Sequence, residues 1–236
     1  MFEDLNGFRH EYKYIEPEGN LIAVQTRLGT VMKKDVHAGD KGFYSIRSLY
    51  FDDHYDTYIN QNIDGVDERA KWRIRIYDQN SDHISLEHKI RKSDMIRKQS
   101  CDIDIGTYED IIAGNARISA SNPELFNMFV SEIKTRGLRP AVIVEYDRTP
   151  FVHSAGRVRV TIDRSIRSSS DIDGFLENRG LASRPVLPAG VNLIEVKFDT
   201  FLPDHIAHCV EHGRMRRETF SKYYMARKFP FGRKHI

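Results

Sequence analysis

The sequence predicts an α+β protein built on a closed or strongly curved antiparallel sheet. Three observations lead to this prediction. Strand-like segments outnumber helical ones, polar and apolar residues alternate along them, and a charged stripe recurs on one face of strand after strand. Closing such a sheet would turn the charged stripes toward a common lumen. The apolar faces would then point outward, where the helices can cover them.

Seven segments rich in β-branched and aromatic residues are predicted strands, at 9–15, 43–51, 71–77, 84–91, 142–148, 157–162 and 193–198. Apolar residues at helical spacing predict helices at 18–32, 108–113, 123–136, 203–212 and 218–228. Residues 168–170 and 179–190 have the composition of surface loops. No linker rich in Gly, Pro or Ser divides the chain, so we expect a single domain over residues 1–236.

The composition limits the classes of function. With 40% hydrophobic and 30% charged residues among 236, the chain resembles ordinary soluble proteins. The formal net charge is only +2, so any basic site must arise from local clustering. No apolar segment approaches the roughly 18 residues of a membrane span, and the first residues lack a signal-type apolar stretch. We therefore expect a cytoplasmic protein without a membrane span of its own.

The strand KWRIRIY, residues 71–77, shows the charged stripe most clearly. Its apolar face carries Trp72, Ile74 and Ile76, and its other face carries Lys71, Arg73, Arg75 and Tyr77. Cations two residues apart on a strand lie roughly 7 Å from each other and repel unless an anion faces them. Taken alone, this stripe fits the solvated face of a half-buried sheet equally well.

The recurrence of the stripe favours an anion over solvent. The matching faces of the other strands carry Arg9, Glu11 and Lys13; Glu87, Lys89 and Arg91; Tyr146 and Arg148; Arg157 and Arg159; and Glu195 and Lys197. Solvated faces usually mix neutral and acidic residues, whereas Arg and Lys dominate here. Arginine grips phosphate oxygens with its fork, and lysine supplies a mobile point charge. The pattern predicts a lumen for a polyanion, and the single glutamates suggest a divalent metal beside it.

Eight motifs in order carry a family resemblance: RHEYKY, SLYFDD, KWRIRIY, SLEHKIRK, EYDRTPF, RVRVTIDRSI, LIEVKF and FSKYY. Together they resemble the VTC domain, the catalytic domain of vacuolar transporter chaperone-type polyphosphate polymerases in the triphosphate tunnel metalloenzyme superfamily. The likeness runs from about residue 8 to about residue 228 and is closest to bacterial-type stand-alone members. It implies a closed antiparallel eight-stranded β-barrel with flanking helices. The implied reaction transfers the terminal phosphoryl group of ATP to a growing polyphosphate chain, with Mn²⁺ or Mg²⁺ as cofactor.

The resemblance also implies a set of site residues. The phosphate-gripping catalytic residues would be Arg73, Arg75, Lys89, Arg148, Arg159 and Lys222. Further substrate contacts would come from Lys13, Lys71, Glu87, Arg97, Tyr146 and Lys197, although the register between Ser93 and Gln99 is open. Glu195 is the expected metal ligand.

Two positions depart from the patterns of the superfamily. Its triphosphate hydrolases usually begin with Glu-x-Glu-x-Lys, whereas the matching positions here are Arg9, Glu11 and Lys13. The lost carboxylate favours chain binding or synthesis over hydrolysis. In FSKYY, some polymerases carry a basic residue three positions before the lysine, where this chain has Thr219. Either that phosphate contact is missing, or Arg216 and Arg217 supply it.

Three alternatives remain beside the polymerase. They are a metal-dependent hydrolase of triphosphate or polyphosphate, a non-catalytic polyphosphate-binding module, and a nucleic-acid-binding barrel. We do not expect nucleic acid, because Trp72 lies opposite the arginines and only Tyr77 shares their face for base stacking.

Several smaller features have simple interpretations. A strand-ending turn explains Asp52, Asp53 and Asp56 better than a metal site does. A solvated or capping role is the simplest interpretation of His205, His208 and His212. The basic tail at 227–234 would be solvated or would meet an anionic membrane surface or a membrane-protein partner.

Overall fold

The computed structural model describes residues 7–211 and 215–228. Its strands are β1 (Arg9–Pro17), β2 (Lys33–Lys34), β3 (Tyr44–Asp52), β4 (Arg69–Tyr77), β5 (Asn80–Lys92), β6 (Met95–Ile103), β7 (Arg139–His153), β8 (Val158–Ser169), β9 (Arg184–Pro185) and β10 (Val191–Phe198). Its helices are α1 (Glu18–Val31), α2 (Thr57–Ile63), α3 (Ile105–Ile112), α4 (Glu124–Arg136), α5 (Asp204–Val210) and α6 (Lys222–Lys228).

Eight of the strands close into an antiparallel barrel. Around the barrel the order is β7-β3-β4-β5-β6-β1-β10-β8, and β8 pairs back with β7 along most of its length. The two-residue strands β2 and β9 extend the sheet beside β7 and β8. The predicted α+β class and the closed eight-stranded barrel are therefore confirmed.

The apolar faces of the strands point outward and are covered by helices. Trp72, Ile74 and Ile76 on β4 are fully buried in a cluster that includes Phe129 of α4. The Trp72 and Phe129 rings lie 4.9 Å apart between centroids. On the other side of the barrel, a second cluster joins apolar residues of α1 and α5 to the outer face of β8 and β10. Because both apolar layers lie outside, the charged faces are left to the interior.

The structure differs from the predicted elements in several places. Strand β6 was not predicted, since Arg97, Lys98, Gln99 and Ser100 show no apolar alternation. Helix α2 was also missed because it follows directly on the aspartate-rich turn. Residues 168–169 belong to β8 and are buried rather than lying in a surface loop, and the Ser169 hydroxyl donates to the Ala182 carbonyl at 2.7 Å. Helix α6 begins at residue 222, later than predicted.

Within residues 7–211 and 215–228, no helix is both long enough and apolar enough to cross a bilayer. His212 and most of the predicted basic tail, including Arg233 and Lys234, lie outside the described residues.

Candidate functional site

The barrel encloses a central cavity of about 370 Å³ to which all eight barrel strands contribute. Among the described residues its lining contains two carboxylates, Glu11 and Glu195, and many more cations. The cations are Arg9, Lys13, Arg69, Lys71, Arg73, Arg75, Lys89, Arg91, Lys98, Arg148, Arg159, Lys197 and Lys222. A cavity with this excess of positive charge is chemically suited to an anion that carries many charges along its length.

Most of the predicted site residues meet in this cavity. The residues that line it are Lys13, Lys71, Arg73, Arg75, Lys89, Tyr146, Arg148, Arg159, Glu195, Lys197 and Lys222. Two predicted residues, Glu87 and Arg97, do not belong to the lining. Alternation thus identified the inward faces of six strands, β5 among them. Of the two residues outside the lining, Glu87 has the inward parity of β5, and Arg97 lies on β6, whose register the sequence left open.

Arg97 is a correction that follows from the register of β6. Lys98 pairs opposite Lys89, and Arg97 pairs opposite Ile90. Since alternate residues face opposite sides, Lys98 enters the cavity, whereas Arg97 lies on the outer face over the Phe8 ring. Ser93 has a positive φ of 56°, as in a tight hairpin turn. Recognising residues 93–94 as that turn would have given the correct register.

Glu87 is buried behind the cavity and holds its cations in place. Its side chain is fully inaccessible and accepts from Arg73 Nε at 2.6 Å and from Lys98 Nζ at 2.8 Å. Arg75 lies 3.6 Å away. Burial alone would raise the pKa of Glu87, but these three cations outweigh it and hold the pKa well below its usual value. Glu87 is therefore a buried charged support for the cations of the cavity wall and does not itself belong to the lining.

A second group of carboxylates holds the opposite side of the cavity. Asp163, fully buried, accepts both arms of the Arg148 fork at 2.7 Å and lies 2.6 Å from Lys222. Glu195 accepts from Lys222 at 2.9 Å, and its other oxygen accepts from Arg148 at 3.2 Å. Burial would raise the pKa of Glu195, but Lys222, Lys197 and Arg148 keep it well below its usual value. These ion pairs fix the arginine and lysine heads at defined positions along the wall.

Glu11, on β1, is the second carboxylate that lines the cavity. It lies 3.0 Å from both Lys13 and Lys89 and 3.4 Å from Lys197. Burial would raise its pKa, yet these lysines hold the pKa well below the usual value. Lys197 also lies 3.3 Å from Glu195, so one lysine bridges both lumen-facing carboxylates.

Three tyrosine hydroxyls orient the arginines, and the charge pattern gave no signal for two of them. Tyr50 accepts from Arg73 at 3.0 Å, and Tyr44 accepts from Arg159 at 2.9 Å. Tyr146, which was predicted, accepts from Arg75 at 3.3 Å. Tyr44 and Tyr50 lie on the inward face of β3, where uncharged residues replace the cationic stripe. In the sequence, the aromatic residues at alternate positions of β3 were the available indication that this face contributes to the cavity.

Helix α6 covers one end of the barrel and inserts Lys222 into it. The Lys13 ammonium donates to the Phe220 carbonyl at 2.8 Å, and Lys71 donates to Ser221 at 3.2 Å. The Tyr223 hydroxyl donates to Asp52, whose carboxylate also accepts the backbone N–H of Tyr58 at the start of α2. Asp52 thus serves the predicted turn, and it also anchors the helix that carries Lys222.

The structure shows where Thr219, which stands in place of a basic residue, lies relative to Arg216 and Arg217. Thr219 lines the cavity, whereas Arg216 and Arg217 do not. Arg217 instead donates to Glu211 at 2.6 Å and lies over the Tyr12 ring. The extra basic contact seen in some polymerases is therefore not supplied by these two arginines.

Two cavity lysines have strongly lowered pKa values. Burial lowers the pKa of Lys89 to about 7 against the opposing attraction of Glu11, with repulsion from Lys13 and Lys197 adding to the effect. Burial, together with repulsion from Arg69 and Lys13, lowers the pKa of Lys71 to about 7. An anion in the cavity would stabilise both ammonium groups and so raise the pKa values of the two lysines.

The lumen-facing carboxylates fit a metal only in company with other ligands. No group of three or more His, Cys, Asp or Glu side chains suited to a metal occurs in residues 7–211 and 215–228. Mg²⁺ and Mn²⁺ are hard cations, and Mg²⁺ is commonly held by one or two carboxylates while phosphate oxygens and water supply the rest. Glu195 and Glu11 match that donor set when phosphate is present.

Several solved structures have a backbone fold similar to that of this chain. One is a Bacillus halodurans protein provisionally assigned as an adenylate cyclase, with 12% identity, 85% of this chain and 86% of that chain covered, and a TM-score of 0.46. Another, from Hippeastrum, was assigned as an adenylyl cyclase and has a dominant triphosphatase activity. It shows 12% identity, 85% and 82% coverage, and a TM-score of 0.48. The Mimivirus capping-enzyme triphosphatase shows 11% identity, 81% and 80% coverage, and a TM-score of 0.37.

No curated protein matches the chain. A family model does, and it covers nearly the whole sequence: the model of the VTC domain matches residues 8–231. The match spans all eight barrel strands and the helix that carries Lys222. The chain belongs to the VTC domain family.

Proposed function

We propose that this protein is a polyphosphate polymerase that transfers the terminal phosphoryl group of ATP to a linear polyphosphate held in the central cavity. The observation that carries the proposal is the convergence of cations from the barrel strands and α6 on one lumen, each side backed by buried carboxylates. Phosphoryl transfer leaves little covalent work for the protein, so positioning and charge stabilisation supply most of the catalysis.

The side chains divide into two walls. Arg73 and Arg75 of β4 grip phosphate from one wall, with Lys89 beside them. Arg148, Arg159 and Lys222 grip it from the other, while Lys13, Lys71 and Lys197 contact neighbouring phosphates and Tyr146 orients Arg75. The terminal phosphate of a polyphosphate is already an anionic nucleophile, so the reaction needs no general base. What the protein must do is hold donor and acceptor phosphates in line against their mutual repulsion.

Glu195 is the residue we expect to hold Mn²⁺ or Mg²⁺, with Glu11 on the neighbouring strand. The metal would supply positive charge to phosphate oxygens during transfer. In the structure Glu195 forms ion pairs with Lys222, Arg148 and Lys197. Phosphate oxygens would draw these cations away from the carboxylate and leave it available to a metal.

Hydrolysis of triphosphate or polyphosphate is the second candidate. The observation in its favour is that Glu11 and Glu195 both face the lumen and share Lys197. Two carboxylates are therefore present, although Arg9 replaces the first glutamate of the hydrolase motif. Arg9, which stands in place of that carboxylate, pairs with Asp199 at 2.8 Å.

Incubation with ATP and Mn²⁺ separates these functions. A polymerase yields long acid-labile phosphate chains and ADP. Free orthophosphate without chains would establish hydrolysis. Unchanged ATP, together with tight binding of long chains, would identify a binding module.

The low pKa values of Lys71 and Lys89 predict that the affinity for long-chain polyphosphate decreases as the pH rises from about 6 to about 8. Below a pKa of about 7 both lysines carry charge that attracts the chain, and above it they lose that charge. Internal phosphates of a long chain stay ionised throughout this range, so the protein dominates the change. Isothermal titration at both pH values measures the effect.

The matched variant for this experiment is Lys71→Arg/Lys89→Arg, because arginine remains charged throughout. Its affinity should vary much less with pH than that of the wild type. An equal pH dependence in both proteins would show that these lysines do not titrate in the binding reaction.

A further inference from the structure

The central cavity continues into an open groove at the rim of the barrel. This rim groove has a volume of about 1080 Å³ and shares Arg9 and Arg159 with the cavity lining. Its other charged residues include Lys33 of β2, Arg157 before β8 and Asp199 after β10. The shared arginines make the groove an extension of the cavity rather than a separate depression.

The rim groove lies at the end of the barrel opposite α6. It is built at the end of β7, where Val152 and His153 line it. Helix α6 contacts the other end of that strand, since Arg227 donates to the Ala141 carbonyl at 3.4 Å. Tyr223 bonds Asp52, which pairs with Arg139 at the start of β7. One end of the cavity is therefore covered by α6, and the other opens into the groove.

The charges of the groove favour an anion that extends out of the cavity. Among the residues that the structure describes, the groove is lined by four cations, Arg9, Lys33, Arg157 and Arg159, and by one carboxylate, Asp199. Arg159 also pairs with Asp35, which lies outside the lining, at 2.9 Å. Asp199 is shared between Arg9 and Arg157 and so cannot neutralise both. The Arg157 side chain is 83% exposed, which leaves it able to reach a ligand outside the barrel. Lys33 and Arg157 line the groove but not the cavity, so a ligand confined to the cavity does not contact them, whereas a chain that continues into the groove does.

We propose that the rim groove binds the distal part of a linear polyphosphate whose end occupies the central cavity, so that the growing chain leaves the barrel on the side opposite α6. This inference rests on the proposed function for its ligand class. It assigns a second binding segment, with Lys33 and Arg157 as contacts that long chains make and short ones do not.

The test is the double variant Lys33→Gln/Arg157→Asn in the full chain, with affinities measured for long-chain polyphosphate and for tripolyphosphate. Asparagine suits position 157 because the backbone there has a positive φ of 45°. The matched control, Arg117→Asn/Lys134→Gln, removes two exposed cations elsewhere on the surface. We expect long-chain affinity to fall about fivefold at low salt, and less at high salt because surface charges are then screened. Affinity for tripolyphosphate, and both affinities of the control, should remain unchanged.

Unchanged long-chain affinity in the double variant, or equal weakening for both ligands, would overturn the inference. The outcome can be distinguished from failure of the proposed function. If the wild type makes chains from ATP but the double variant binds long chains normally, only the groove assignment fails. If the wild type makes no chains but the length-selective loss occurs, the groove assignment stands and the polymerase proposal fails.

Discussion

Replacing Arg75 by alanine should reduce polyphosphate synthesis by about 100-fold or more, the effect of removing one preorganised donor that stabilises developing charge. Arg75 is buried in the cavity wall, where its Nε donates to Ser48 at 3.1 Å and its Nη2 donates to Tyr146 at 3.3 Å. These bonds hold the guanidinium in a fixed orientation. Alanine removes both the charge and the fork. Initial rates of chain formation from ATP measure the loss.

Two variants make the Arg75 result specific. Arg75→Lys keeps the charge but not the planar fork, so its rate should lie between those of alanine and wild type. Arg167→Ala removes an exposed arginine of β8 that donates to Ser183 and should leave the rate unchanged. An Arg75→Ala protein that is folded by circular dichroism and fully active would exclude this arginine from catalysis.

Replacing Glu87 by glutamine should lower the free energy of unfolding by about 3 kcal/mol, the cost of removing one partner from a buried ion pair. Glutamine is nearly isosteric but neutral, so Arg73, Arg75 and Lys98 lose the charge that holds them together. Urea denaturation of the ligand-free protein measures the change. Because a bound phosphate chain supplies the missing negative charge, tripolyphosphate should stabilise the variant more than the wild type.

The pH dependence gives the Glu87 prediction a second readout. The folded-state pKa of Glu87 is depressed, so its contribution to stability is present above its unfolded pKa and is lost as pH falls through the folded value. Stability of Glu87→Gln should therefore decline less on acidification. Glu109→Gln, on the exposed face of α3, is the control. Equal stability of Glu87→Gln and wild type would show that the cations do not depend on this carboxylate.

Alternation along single strands was enough to predict a closed or strongly curved sheet and the inward faces of most strands, whereas the closed eight-stranded barrel was implied by the family resemblance. In β4 the apolar residues Trp72, Ile74 and Ile76 pack outward, so the intervening cations can only face the lumen. The same reasoning placed Lys13, Arg148 and Lys197 correctly. Such predictions succeed where one face of a strand is wholly apolar, because burial of that face then fixes the direction of the other.

Features that depend on pairing between distant segments could not be predicted. Strand β6 has polar residues on both faces, so only its register against β5 distinguishes Lys98 from Arg97. Glu87 has the parity of a lumen residue, but three cations surround it and hide it from the cavity. Tyr50 carries no charge, and its role appears only when Arg73 is placed beside it. These contacts are set by the closed barrel rather than by any local pattern.

The most direct test of the proposed function is a crystal structure of the protein with tripolyphosphate and Mn²⁺. We expect phosphates along the central cavity, in contact with Arg73, Arg75 and Arg148, with Lys222 at the end covered by α6. We also expect Glu195 to hold the metal. Phosphate bound only on the outer surface, with the ion pairs of Glu87 and Glu195 unchanged and the cavity filled by water, would contradict the proposed function.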